Sequence, residues 1–110
     1  MPPEAAARIP TLTRRLHDPD LEVRVHAGIL LGDLGPAAGP AVPALLELLR
    51  GDVVQDRRLA ALTLGRIGHQ AATAIPALRQ TLRDADATVR RFAADALAEI
   101  EQAPGQARAA

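Results

Sequence analysis

The sequence is periodic. Proline recurs at Pro10, Pro43 and Pro76, and the 33-residue shift that superposes these prolines aligns many other columns. Ile9, Val42 and Ile75 precede the prolines; Leu12, Leu45 and Leu78, then Leu16, Leu49 and Leu82, follow them. Arg24, Arg57 and Arg90 share a column, as do Ala27, Ala60 and Ala93, and Leu31, Leu64 and Leu97. Gly32 matches Gly65, and Gly35 matches Gly68. Repetition at one fixed offset marks stacked units, none of which buries its apolar face alone. The units run over 9–41, 42–74 and 75–103 as one domain, after a lead-in at 1–8 and before a flexible tail at 104–110.

Each unit reads as two helices. The first is expected to start at the proline, whose missing N–H has no intrahelical partner at that position. Ile9, Leu12 and Leu16 then fall on one helical face. The second helix starts after Asp18 and Asp20 in unit one and after Asp84 and Asp86 in unit three, carboxylates that cap exposed backbone N–H groups. Its stripe is Val23, Ala27, Leu31, Leu34, and Val89, Ala93, Leu97, Ile100 in unit three. Gly35 and Gly68 stand where a left-handed helix end is expected. Unit two breaks the pattern: Gly51 and Asp52 replace the Asp-x-Asp turn, and Asp56 replaces a valine, so its turn is expected to be the least regular. Unit three carries Asp95, Ala98, Glu99 and Glu101 where earlier units carry apolar residues, glycines or other polar groups, and is expected to close the stack as a polar cap.

Composition then removes function classes. Thirteen arginines balance thirteen acidic residues, so the chain lacks the basic excess of a phosphate-backbone binder. Phe92 is the single aromatic residue, too few for a base-stacking surface. Serine and cysteine are absent, which excludes those nucleophiles, thiolate metal sites and disulfides. His17, His26 and His69 occupy unrelated repeat positions without metal-ligand spacing. No cofactor or metal is expected. No uninterrupted apolar run approaches the ~18 residues of a membrane span, and the N-terminus lacks the pattern of a signal peptide; the expectation is a cytoplasmic protein with neither membrane nor nucleic-acid partner.

The pattern Pro-x-Leu-x3-Leu, then Asp-x-Asp-x2-Val-Arg-x2-Ala-x3-Leu-Gly-x-Ile/Leu-Gly, resembles the short bacterial HEAT-like repeat, the form found in phycobilin lyase subunits. Unit one carries it from Ile9 to Gly35 and unit three from Ile75 to Ile100. The resemblance implies an all-α, right-handed solenoid of three helix pairs that is not an enzyme and that binds or scaffolds another protein. It also implies that the arginine column bonds an aspartate of a neighbouring turn, forming a ladder of Arg24, Arg57 and Arg90 with Asp18, Asp52 and Asp84. In such stacks the second helices line the concave side. The columns left over from their stripe hold Val25, Ile29, Arg58, Leu62, Arg66 and Arg91, an apolar centre with arginines beside it, which is the composition of a protein-binding patch. Two rival readings are an accessory subunit of an enzyme such as a chromophore lyase, handling a small ligand, and a fragment of a longer array that associates end to end.

Overall fold

The computed structural model of the chain describes residues 3–102. Six α-helices follow in order: α1 (Pro3–Arg15), α2 (Leu21–Leu34), α3 (Val42–Leu49), α4 (Val54–Ile67), α5 (Ile75–Thr81) and α6 (Ala87–Glu101). Short 3-10 links over Gly35–Ala41 and Gly68–Ala74 join the pairs. No strand occurs among the described residues. The chain is an all-α solenoid of three helix pairs. The tail at 104–110 lies outside the described residues.

Local chemistry sets most boundaries. Helices α3 and α5 begin one residue before Pro43 and Pro76, as the proline rule requires. Helix α1 departs from it. It starts at Pro3 and runs through Pro10, because Glu4 to Arg8, three of them alanines, extend the helix backwards where the other units have a link. The cost is one backbone hydrogen bond that the Pro10 nitrogen has no hydrogen to make. Asp20 caps α2 by accepting from the Glu22 N–H at 2.9 Å, and Asp86 caps α6 through the Val89 N–H at 2.9 Å. Helix α4 starts after Val53 with no side-chain cap, the irregularity expected of unit two. Gly35 and Gly68 end α2 and α4 at φ 62° and 80°. Their ψ angles of −137° and −146° place them beyond the left-handed helical basin, in a region open essentially to glycine alone. The stretch Leu21–Leu49 has a window of mean hydropathy 1.4, apolar enough to cross a membrane by length and composition. Gly35 divides it into α2, a link and α3, so it is not one straight rod.

Leu12, Leu31, Leu45, Leu64 and Leu78 form the fully buried centre. One column shows how stacking produces that burial. Leu16 and Leu49 are 0% and 3% exposed, whereas Leu82 in the same column is 40% exposed, because no following unit covers it among the described residues. Helices α2, α4 and α6 pack along their lengths, while the first helices barely touch one another. Small residues permit this closeness. A Cβ on Gly28 would lie 2.6 Å from Leu59 Cδ1, and one on Gly65 would lie 3.0 Å from the Ala96 Cα. Helices α2, α4 and α6 thus form the tighter, inner layer of the stack and the first helices the looser one.

Candidate functional site

Two seams join the three units, and arginines cross both. Arg24 Nε donates to Asp56 Oδ1 at 2.9 Å. Arg57 Nε donates to Asp84 Oδ2 at 2.8 Å, with Nη2 to Oδ1 at 3.3 Å. Each guanidinium also ties down its own turn: Arg24 Nη1 bonds the carbonyls of Asp18 and Pro19, and Arg57 Nη1 that of Gly51. The ladder therefore exists in part: Arg57 with Asp84 is the rung the resemblance implies, whereas Arg24 takes Asp56, outside the implied set. The Asp18 carboxylate accepts the Asp20 N–H instead, and Asp52 is exposed and outside the ladder. Gly51 occupies the column of Asp18 and Asp84, so unit two has no turn carboxylate there. Asp56 supplies one from the first turn of α4, buried to 7% exposure. Arg90 clamps its own turn through the carbonyls of Asp84 and Ala85 and has no carboxylate partner among the described residues.

The second seam carries a further pair. Arg58 grips Asp86 with two parallel bonds of 2.9 and 2.7 Å. This hydrogen bonding, reinforced by the Val89 N–H, holds the Asp86 carboxyl well below the usual carboxylate range. For Asp84, burial pushes the carboxyl up, but the Asp86 N–H and Arg57 outweigh it and hold it below its ordinary value. Arg58 is thus a structural bracket between units rather than a free charge on the inner face.

Between α4 and α6 lies an open cleft of about 290 Å³. Its floor is Ala61, Gly65 and Ala96, the small residues that let the two helices approach. Leu62 and Arg66 form one wall; Phe92, Asp95 and Glu99 form the other. Leu62 is 37% exposed, and Ile29, at its equivalent position on α2, is 42% exposed. Arg66 lies over Gly32 and pairs with Asp33 at 2.9 Å. Val25 is half-buried on α2, and Arg91 stands 5.8 Å from the centre of the Phe92 ring. Of the six residues that sequence patterning nominates, the structure brings Leu62 and Arg66 into this cleft. Phe92 is the wall residue that patterning passes over, because the buried Leu59 makes its column look like framework. Its spacing with Asp95 and Glu99, at i, i+3 and i+7 on one helical face, is the signal that finds it.

That geometry also corrects the polar-cap expectation. Asp95 and Glu99 face the cleft, and Glu101 pairs with Arg79 at 2.6 Å. The open side of unit three presents exposed Leu82, Arg90, Arg91, Ala94 and Ala98. Among the described residues, no group of three His, Cys, Asp or Glu side chains is placed to hold a metal ion.

Comparison with known proteins adds one finding. A family model described as HEAT repeats matches residues 42–110. No curated protein matches the chain. Unit one lies outside the matched residues, and it too is a helix pair, α1 and α2, with a longer first helix.

Proposed function

The chain belongs to the HEAT-repeat family, whose members generally mediate protein–protein interaction or scaffolding and are generally non-catalytic, and on that premise we propose that it binds another protein through the concave layer of α2, α4 and α6. The observation that carries this reading is the α4–α6 cleft. Leu62 and Phe92 flank a floor of small residues, and Arg66, Asp95 and Glu99 stand around them. An apolar centre within a charged rim is how protein interfaces are built, with binding energy concentrated in a few central anchors. Ile29 extends the apolar strip one unit further on α2.

The reading is tested by affinity capture with immobilised chain. Leu62→Asp and Ile29→Asp change exposed side chains, so both variants keep the helical circular dichroism of the parent. Proteins retained by the parent are released at least about tenfold more readily by each. Glu47→Arg, an exposed position on α3 outside the concave layer, leaves capture unchanged. If Glu47→Arg abolishes capture and Leu62→Asp does not, binding runs over the first helices and the assignment fails.

A further inference from the structure

The two open sides of this solenoid carry the same charges and spacing as the seam that already joins units two and three. At that seam Arg57 and Arg58 of one unit bond Asp84 and Asp86 of the next. Shifted by one repeat, Arg57 and Arg58 become Arg90 and Arg91, on the uncovered side of unit three. Shifted back by two repeats, Asp84 and Asp86 become Asp18 and Asp20, on the uncovered side of unit one. The arginine pair and the Asp-x-Asp pair are each present, and neither meets a partner of the other kind among the described residues. Arg90 already clamps its own turn as Arg24 and Arg57 do, so its guanidinium is held in the posture from which those two reach a carboxylate across a seam.

Apolar surface follows the same logic. Leu82 is 40% exposed although its column-mates are buried. On the opposite side Leu30 is half-buried, while Thr63 and Ala96 in its column are 1% and 2% exposed. Among the described residues, no neighbouring unit covers either of them. Small residues also recur: Ala94 and Ala98 on α6 correspond to Ala61 and Gly65 on α4, which let α6 come close.

We propose that a second copy of this chain docks head to tail on the first, its unit one stacking on unit three so that Arg90 and Arg91 engage Asp18 and Asp20 of the next copy. The contact uses two different surfaces and leaves one of each open, so it is heterologous and further copies add by the same contact. One position fits less well than the internal seam. Gly65 meets Ala96 there, whereas Ala98 meets Leu30 of the next copy, and a Cβ on Gly65 would already stand 3.0 Å from the Ala96 Cα. Side chains on both sides of this contact hold the helices further apart, which makes the junction weaker than the internal seams and dependent on concentration.

Sedimentation equilibrium of the full chain tests this. At low salt the weight-average mass rises with concentration from 11.6 kDa toward and past twice that value, and salt near 0.5 M reverses the rise by screening the pairs. Arg91→Glu with Ala94→Glu blocks one end; Asp20→Asn with His26→Arg blocks the other and keeps an Asn cap on α2. His26 and Ala94 are exposed and make no side-chain hydrogen bond, so both variants keep the parent's helical signal. Each alone associates at least about tenfold more weakly than the parent. An equimolar mixture regains mass, because the unaltered Asp18–Asp20 end of the first variant pairs with the unaltered Arg90–Arg91 end of the second. Ala98→Gly with Leu30→Ala restores the close approach of the internal seam and tightens association. A parent that stays at 11.6 kDa up to about 1 mM overturns the proposal. So does association that both end variants leave intact, or that Leu62→Asp alone abolishes, since those results place the contact elsewhere.

Discussion

Replacing Asp56 by valine restores the residue type found at this column in the other two units, and the structure says it destabilises the protein. Asp56 is the carboxylate that meets Arg24, with side-chain exposures of 13% for Arg24 and 10% for Asp56. Removing one member of a pair this buried costs about 3–5 kcal/mol when the other charge is stranded. Arg24 keeps its bonds to the carbonyls of Asp18 and Pro19, so the low end, about 3 kcal/mol, applies. Valine returns about 1 kcal/mol through burial of its methyl groups. The net loss is about 2 kcal/mol, a fall in melting temperature of roughly 8–16 °C for a domain of this size. The second half of the experiment is sharper. Gly51→Asp places a carboxylate in the column used by Asp84, and a Cβ there meets only the carbonyl oxygens of Leu48 and Glu47 at 3.4 and 3.6 Å. The double variant Gly51→Asp with Asp56→Val recovers at least half of the lost stability in urea denaturation followed by circular dichroism. A single Asp56→Val variant as stable as the parent refutes the pairing. A double variant no better than the single refutes the idea that Asp56 stands in for the missing turn aspartate.

Two glycines at equivalent positions separate in the same assay. Gly65→Ala is destabilising by about 1–3 kcal/mol, because the new methyl meets the backbone of Ala96, which has no room to retreat; Gly32→Ala, facing the movable Arg66 side chain at 3.1 Å, is neutral or gains up to about 1 kcal/mol of helix propensity. Acid sensitivity follows from Asp84 and Asp86, whose carboxyls are held below their ordinary values in the fold. Groups shifted this way stabilise fully above the unfolded value near 3.9 and lose the contribution as pH falls through it toward the folded value. The urea midpoint is therefore level from pH 7 to about pH 5 and drops below; Asp86→Asn, which keeps a cap, differs most from the parent at pH 7, and the difference shrinks steadily as pH falls from about 4 to about 2 without closing.

Most of the fold was legible because the chain states it three times. Any column conserved between its own repeats, such as Leu12, Leu45 and Leu78, declares itself as framework without reference to other proteins. What escaped had no internal copy. Helix α1 runs past Pro10 because of the lead-in, which has no counterpart in the other units. The rung between Arg24 and Asp56 crosses a seam, and an alignment by columns has no measure of distance across it; the four residues that separate Gly51 from Asp56 in sequence are folded into one turn and the start of α4. Phe92 stayed hidden for the opposite reason, since it shares a column with the buried Leu59 and owes its role to being the one large ring over a floor of small residues. Leu62 and Arg66 were found because they depart from the pattern at positions the pattern does not need.

Helix α4 is the one second helix with a helix of its own kind on each side, and that position fixes an order of events in folding. Contacts here join neighbours only, so every loop closed during folding spans about one repeat and the search is nearly one-dimensional. Nucleation on α4 gains two partners, whereas nucleation on α2 or α6 gains one. Growth then runs outward in both directions, and thermal opening runs inward from the outer pairs. Amide protons of α4 exchange only when the whole domain opens, while those of α1 and α6 escape through partial openings.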